Sequence, residues 1–166
     1  MDDTLYLSDL DGTLLRSDQT LSEYTCSVIE RIVEAGVHFS YATARSIDTA
    51  ARVTRGIRVD IPVIVHNGAF IVDSVTRRPL WSAKFTPQEE EAVYSAFLEQ
   101  GLFPLTYAVI DGKNRFSYIR ERCSAAQWAF VCSRKGYEDD RRAREISSPA
   151  QALDGDVYYF ACIADD

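Results

Sequence analysis

The 166-residue sequence has few residues of the kinds that bind transition metals or form disulfides. It contains two histidines and four cysteines, and no two cysteines are close enough to make a CxxC pair. A structural zinc site needs four such ligands, usually paired at short spacing, so this composition argues against one. We expect the cysteines to be reduced thiols that serve as small apolar side chains.

Long apolar runs and runs of basic residues are also missing. No segment reaches the length of a membrane span, and the N-terminal residues MDDTLYL lack the basic-then-apolar pattern of a signal peptide. We therefore expect a cytoplasmic location and no membrane association. A net charge of −7 without a Lys/Arg-rich run argues against nucleic acid as a partner. An acidic protein that acts on an anionic substrate needs a local positive centre, such as a metal ion.

The first seventy residues alternate between strand and helix patterns. We predict strands at 5–8, 37–42 and 62–65, with one helix between each pair of strands. This order, β-α-β-α-β, predicts an α/β fold with a parallel sheet and right-handed crossovers. The third strand, PVIV, is apolar throughout, which is typical of a parallel strand covered on both faces.

The pattern changes between residues 80 and 85, where we place a domain boundary: residues 1–81 form a core and residues 82–166 a second domain. Thr86 begins a helix with a capping box, and a charged run follows at 133–145, which we expect to be weakly structured or a solvated helix. The other predicted elements are short strands within 70–84, strands at 105–110 and 116–119 joined by a turn that contains Lys113 and Asn114, a helix over 125–131 and a last strand at 157–164.

Polar residues begin where each of the first three strands ends. Asp9 and Asp11 follow the first strand, Thr43 the second, and His66-Asn67-Gly68 the third. In an open parallel sheet, ligands bind outside the carboxyl ends of the strands. The simpler alternatives are a solvated Asp-Leu-Asp turn, a Thr43 that only ends its strand, and a tight turn with positive φ at residues 67 and 68.

The chemistry of such an edge can be argued from residue types. Two nearby carboxylates attract Mg²⁺, which seldom needs more than one or two protein carboxylates beside substrate oxygens. One carboxylate can attack a phosphorus atom, and the other can protonate the leaving oxygen and later activate water. Gly12 permits a sharp turn beside the phosphate, and the Thr43 hydroxyl and the amides that follow suit phosphate oxygens.

Three segments carry a resemblance to a known family. DLDGTLL, from Asp9, resembles the first motif of the haloacid dehalogenase (HAD) superfamily. YATAR and VHNGA resemble its Cof-type sugar-phosphate phosphatase branch. The resemblance implies a parallel Rossmann-like core with an inserted α/β cap domain. It also implies that Asp9 is the nucleophile, Asp11 the general acid/base and Thr43 the phosphate-binding residue of the second motif.

The same resemblance assigns a cofactor and a substrate class. Asp9 and the backbone carbonyl of Asp11 would hold Mg²⁺, and the partner would be a small phosphate ester such as a sugar phosphate. Ala44 and Arg45 belong to the second motif and would lie at the phosphate or substrate. Ala44 stands where the motif usually has glycine, which adds a methyl group to a tight turn. Asn67 and Gly68 match the turn that lines the substrate entrance.

The end of the chain departs from the family's pattern. The family uses a later lysine and a later acidic pair, both on strands that follow the cap. Lys84, Lys113 and Lys135 do not end core strands, and we interpret Asp165-Asp166 as the end of a cap strand. The sequence thus resembles a HAD phosphatase that stops within its cap. Half a parallel sheet leaves an unpaired edge strand, from which we expect self-association.

Two alternatives to an enzyme of this kind remain at this point. The first is a shortened, non-catalytic relative that binds phosphate or a partner. The second is a metal-dependent sugar-nucleotide transferase with a DxD motif, which does not account for Thr13, Thr43 and the Asn-Gly-Ala turn together.

Overall fold

The computed structural model describes residues 4–136 and 140–165. The chain forms two compact units, Met1–Ala83 and Lys84–Asp166. This division lies close to the boundary predicted between residues 81 and 82. The assignment of the second unit as a cap stays a prediction.

The first unit contains five strands and two helices among its described residues. They are β1 (Leu5–Ser8), α1 (Glu23–Glu34), β2 (His38–Tyr41), α2 (Ile47–Val53), β3 (Val63–Val65), β4 (Phe70–Val72) and β5 (Pro79–Ser82).

Parallel pairing of the first three strands organises this unit. β1 and β2 pair in parallel from Leu5–His38 to Ser8–Tyr41. A parallel bridge between Ala42 and Ile64 joins the end of β2 to β3. β3, β4 and β5 then continue as antiparallel neighbours. The predicted parallel sheet is confirmed, and its last two strands turn back on it as hairpins.

The core of the first unit follows the apolar strands. In β3 both Val63 and Val65 are at most 1% exposed, as the apolar run predicted. The one polar side chain at the middle of β2, Ser40, is fully buried and donates a hydrogen bond to the Pro62 carbonyl oxygen at 2.6 Å. Burying a hydroxyl without such a partner is costly, so this contact fixes the approach of β3 to β2.

The second unit has four strands and two helices among its described residues. They are α3 (Pro87–Glu99), β6 (Leu105–Ile110), β7 (Lys113–Tyr118), α4 (Ala125–Lys135), β8 (Ala143–Glu145) and β9 (Asp156–Ala161). The strand order is β8-β7-β6-β9, with β7 and β8 parallel and the other pairs antiparallel.

Helices cover both faces of this sheet. On one face, Phe160 of β9 packs against Tyr94 and Phe97 of α3, with ring centroids 6.3 Å apart in each pair. On the other face, Tyr118 of β7 lies 6.1 Å from Trp128 of α4. Aromatic pairs at such distances contribute beyond the apolar area that they bury.

The predicted turn between β6 and β7 was wrong in its extent. Lys113 and Asn114 belong to β7, where they pair with Ile110 and Val109. Asp111 and Gly112 make the turn alone, with φ values of 50° and 71°. Two consecutive residues with positive φ form the tight turn that matches the twist of a hairpin, so no further turn residues are needed.

The charged run at 133–145 was also predicted wrongly in part. α4 extends to Lys135, and Ala143–Glu145 form β8 at the edge of the sheet. Among the described residues β8 pairs with β7 alone, and as an edge strand it can carry polar side chains. Its sequence, Ala-Arg-Glu, therefore lacks the apolar alternation by which a strand is recognised. Arg144 is instead held by the Asp154 carboxylate at 2.5 Å. Residues 137–139 of this run lie outside the described residues.

The helices α1 to α4 are 7 to 13 residues long. Within residues 4–136 and 140–165, none of them is both long enough and apolar enough to cross a bilayer. The four cysteines are free thiols.

Gly155 occupies a position that no other residue fits. Its φ is 86°, and a Cβ there would lie 2.6 Å from the Val109 carbonyl oxygen and 2.8 Å from Ile110 Cγ1. We expect Gly155→Ala to lower the free energy of unfolding by about 2–4 kcal/mol, measured by urea denaturation. Gly112→Ala is the matched control, because Gly112 has φ 71° but open space around it. Equal losses in the two variants would show that the close approach is not what matters.

The edge of β1 generates a second prediction. Among the described residues β1 pairs only with β2, and Leu5, Tyr6 and Leu7 are 50%, 55% and 50% exposed. An apolar edge with open backbone groups invites pairing with another chain. We expect the 166-residue chain to self-associate in sedimentation velocity and Tyr6→Lys to weaken the association. Tyr24→Lys, at a 78% exposed tyrosine on α1, should leave it unchanged. A monomer at every concentration would contradict this.

Candidate active site

The ends of β1, β2 and β3 are joined by backbone hydrogen bonds. The Ala42 amide donates to the Ser8 carbonyl oxygen at 2.9 Å, and the Thr43 amide donates to the Ile64 carbonyl oxygen at 3.0 Å. In the turn that follows β3, the Asn67 amide donates to the Thr43 carbonyl oxygen at 3.1 Å. The three polar segments predicted from the sequence therefore lie side by side.

The loop after β1 presents two carboxylates on either side of a buried leucine. Leu10 is fully buried, whereas Asp9 and Asp11 are exposed. Gly12 has φ 78°, a left-handed conformation that favours glycine, and the Leu15 amide closes the loop on the Leu10 carbonyl oxygen at 2.8 Å. The two acids thus leave the sheet on one anchored loop.

Thr13 and Asp9 contact each other within this loop. The Thr13 hydroxyl donates to Asp9 Oδ2 at 3.3 Å. This contact is long for a hydrogen bond between a hydroxyl and a carboxylate, so it orients the Asp9 side chain only weakly.

Arg45 binds Asp11 through two parallel hydrogen bonds. Arg45 Nε donates to Oδ2 at 2.8 Å, and Nη2 donates to Oδ1 at 2.6 Å. The Arg45 side chain is 17% exposed and that of Asp11 is 49% exposed. Hydrogen bonds from Arg45 lower the pKa of Asp11 below its usual value, and partial burial opposes the shift. We predicted Arg45 near the substrate from its motif, but the bond to Asp11 was not predicted.

Gln19 is a further contact of Arg45 that the sequence did not single out. Its side-chain oxygen accepts a hydrogen bond from Arg45 Nη2 at 3.1 Å. The only sequence signal is its place between Asp18 and Thr20, a pair that forms local turns. The Asp18 carboxylate accepts from the Thr20 amide and hydroxyl at 3.0 and 2.6 Å.

Thr43 and Ala44 lie at the end of β2. Thr43 is 5% exposed, and its hydroxyl oxygen accepts from the Arg45 amide at 3.2 Å. A hydroxyl that accepts one hydrogen bond can still donate its own hydrogen, so Thr43 can serve a phosphate oxygen. Ala44 is exposed and does not adopt a positive φ, so its methyl group needs no strained backbone.

The turn after β3 contains three consecutive residues with positive φ. His66, Asn67 and Gly68 have φ values of 52°, 56° and 92°. His66 is 6% exposed and its ring lies 5.6 Å from that of Phe70, so it belongs to the packing of the turn. Asn and Gly tolerate a positive φ better than other residues, which accounts for their presence at positions 67 and 68.

The side chains at the strand ends offer few ligands for a metal ion. In the part of the chain that the structure describes, no three His, Cys, Asp or Glu side chains converge. Asp9 and Asp11 are the only acids of the predicted set at this edge. One protein carboxylate can suffice for Mg²⁺ when a backbone carbonyl, substrate and water supply the other oxygens, so the Asp9 carboxylate and the Asp11 carbonyl fit that ion and not zinc.

Asp165 caps a helix. Its carboxylate accepts from the amides of Ala125 and Ala126 at 3.1 and 2.8 Å, at the start of α4. These bonds lower the pKa of Asp165 from its usual value of 3.8. The last strand, predicted over 157–164, is shorter than expected: β9 ends at Ala161, so Asp165 does not end a strand but lies at the start of α4. Asp166 lies outside the described residues.

Residues 6–154 match the family of haloacid dehalogenase-like hydrolases. The chain belongs to this family. Among curated relatives, it is 42% identical over 66 residues to a Buchnera aphidicola protein named as a phosphatase, a match that covers 40% of this chain and 25% of the relative. It is 35% identical over 63 residues to 5-amino-6-(5-phospho-D-ribitylamino)uracil phosphatase YitU of Bacillus subtilis, covering 38% of this chain and 23% of that protein.

A solved structure shows the same fold. A haloacid dehalogenase-like hydrolase from Bacteroides thetaiotaomicron matches with a TM-score of 0.69 at 19% identity, over 97% of this chain and 58% of that chain. The HAD fold predicted from the three motifs is confirmed. The match spans a little over half of the HAD hydrolase and a quarter or less of the two curated relatives.

The Asp165 cap generates a prediction for stability. Because the folded-state pKa of Asp165 is lowered, its contribution is present above the unfolded-state pKa and is lost as the pH falls through the folded-state value. We expect Asp165→Ala to lower the urea midpoint at pH 7, and its difference from the parent to shrink on acidification below pH 4. Asp60→Ala, at an exposed acid paired with Arg58, is the control. A pH-independent difference would contradict the role of the charge.

Proposed function

We propose that the protein is a Mg²⁺-dependent phosphatase that hydrolyses a small phosphate ester through an aspartyl-phosphate on Asp9. The observation that carries the proposal is the meeting of three strand ends, which sets Asp9 and Asp11 beside Thr43 and the Asn67-Gly68 turn. Membership of the HAD-like hydrolases and the phosphatase names of its relatives support it.

Asp9 is suited to the role of nucleophile. It is exposed at the tip of the loop, and its Oδ2 accepts a hydrogen bond from the Thr13 hydroxyl. In the first step Asp9 Oδ1 forms a bond to phosphorus while the ester P–O bond breaks, and the leaving oxygen takes a proton from Asp11. In the second step water attacks phosphorus, its proton passes to Asp11, and the P–O bond to Asp9 breaks to release phosphate.

Asp11 is suited to the second step as the structure shows it. Held by Arg45 it is a carboxylate, which is the form that accepts a proton from water. The first step requires the protonated acid. Each carboxyl oxygen has two acceptor positions, so Asp11 can carry its proton on a position that Arg45 does not occupy.

Mg²⁺ would be held by the Asp9 carboxylate and the backbone carbonyl of Asp11. The Asp11 side chain has both oxygens on Arg45, which agrees with its contributing the carbonyl instead. When bound, the ion neutralises charge between Asp9 and the phosphoryl group. This matters in a protein whose net charge is −7 and whose substrate is an anion.

The remaining residues of the site would bind the substrate. We assign phosphate oxygens to the Thr43 hydroxyl and to backbone groups at Gly12 and Ala44, and the substrate entrance to Asn67 and Gly68. Arg45 would act there through Asp11. A sugar phosphate or a similar phosphorylated small molecule is the proposed class, in line with the phosphoribityl compound in the name of one relative. A cytoplasmic location accompanies this proposal.

A second candidate is a non-catalytic relative that binds phosphate or a partner. The lysines favour it, because all three lie in the second unit: Lys84 is bound to Asp156 at 2.6 Å and Lys135 lies 3.8 Å from Glu145. The first unit, residues 1–83, therefore contributes no lysine of its own to a phosphoryl group at its strand ends. The sugar-nucleotide transferase receives no support from the family match.

Substitution of the nucleophile tests the proposal. In the protein as its source organism makes it, Asp9→Asn should lower phosphatase activity on 4-nitrophenyl phosphate by at least about a thousandfold, because an amide oxygen does not form the phosphoryl intermediate. Removal of Mg²⁺ with EDTA should have a similar effect, reversed when Mg²⁺ is restored.

Asp60→Asn is the control, since this exposed acid pairs with Arg58 away from the strand ends. Activity that survives Asp9→Asn would overturn the covalent mechanism. A parent protein that binds inorganic phosphate but does not turn over any phosphate ester would favour the non-catalytic candidate.

A further inference from the structure

Arg45 Nη2 donates to both Asp11 and Gln19. It donates to Asp11 Oδ1 at 2.6 Å and to the Gln19 side-chain oxygen at 3.1 Å. A guanidinium carries five N–H donors in a rigid fork, so it can bind two acceptors at once without changing its own position. If the Asp11 bond opens, the Gln19 bond remains to hold the same nitrogen.

Gln19 is presented to Arg45 by a strained turn. Its φ is 63°, a left-handed conformation that is unfavourable for a residue with a side chain of this size. Two bonds close the turn around it: the Arg16 amide donates to the Thr20 carbonyl oxygen at 2.9 Å, and the Gln19 amide donates to the Arg16 carbonyl oxygen at 2.9 Å. Glycine would relieve the strain here, yet the position holds a residue whose amide reaches Arg45.

We propose that Gln19 is a positioning residue that fixes the Arg45 guanidinium in the orientation in which it binds Asp11. The inference rests on the proposed function for the role of Asp11. Gln19 is a neutral acceptor on the same nitrogen that Asp11 binds, so it restricts the rotamers that Arg45 can adopt beside Asp11.

The test starts from Gln19→Gly. This change removes the amide and relieves the positive φ, so loss of the side chain is not confounded by new backbone strain. Arg77→Gly is the matched control. Arg77 also has a positive φ, 58°, in an exposed turn that an aspartate closes, here Asp73, whose Oδ1 accepts from the Thr76 amide at 2.6 Å.

In the protein as its source organism makes it, Gln19→Gly should lower kcat about 3- to 10-fold with KM little changed, the loss expected for one hydrogen bond to a charged group at a partly exposed site. Arg77→Gly should leave both constants unchanged. A Gln19→Gly variant with parental kcat, or one that changes KM alone, would overturn the proposal.

A second measurement does not depend on turnover. Asp11→Asn removes the negative charge that binds Arg45, and the ¹⁵N–¹H signal of Arg45 Nε reports how firmly the guanidinium is held. The signal should persist in Asp11→Asn and be weakened by faster solvent exchange in the double variant with Gln19→Gly. Gln19→Glu in the same background supplies an acceptor again and should restore it. Equal signals with and without Gln19 would overturn the proposal even if the parent protein is an active phosphatase. If the parent proves inactive, the proposed function fails, and these spectra still decide whether Gln19 holds Arg45.

Discussion

Backbone pairing beyond the end of β2 is the constraint on which the candidate site depends. The sheet does not stop where the strand does: Ala42 and Thr43 still bond to the neighbouring chains on either side, at Ser8 and Ile64. This brings the loops after β1 and β3 to the same residue pair. Without it, each polar segment would be an ordinary solvated turn. Because the bonds are between main-chain groups, the arrangement does not rely on any of the side chains that would react.

The two acids of the candidate site differ in their electrostatic surroundings. Asp9 is exposed and its hydrogen bond from Thr13 is weak. Both carboxylate oxygens of Asp11, in contrast, accept hydrogen bonds from the Arg45 guanidinium. Two equivalent carboxylates so near in sequence would repel each other and compete for any cation. Arg45 removes that equivalence. In the proposed mechanism, Asp9 meets the metal ion and phosphorus, and Asp11 transfers protons.

Much of this was predictable from the sequence, for identifiable reasons. The apolar β3 and the polar residues after each strand predicted the sheet and its edge, because burial and strand direction leave a direct mark on residue type. The Arg45–Asp11 pair was not predictable, since 34 residues separate its members and either side chain is common on a surface. Gln19 was missed for the same reason. β8 was missed because an edge strand made of Ala143, Arg144 and Glu145 has no apolar alternation to recognise.

Leu10 has a consequence for how variants of this protein would be interpreted. It is the fully buried residue between Asp9 and Asp11, and its carbonyl oxygen closes the loop through Leu15. A smaller side chain there would leave a cavity, and both Asp9 and Asp11 would then be held less firmly in place. In a screen for lost activity, position 10 would thus score like an acid of the site although it meets no reactant. Sensitivity to mutation in this loop therefore reflects the packing of Leu10 as well as the chemistry of the two acids.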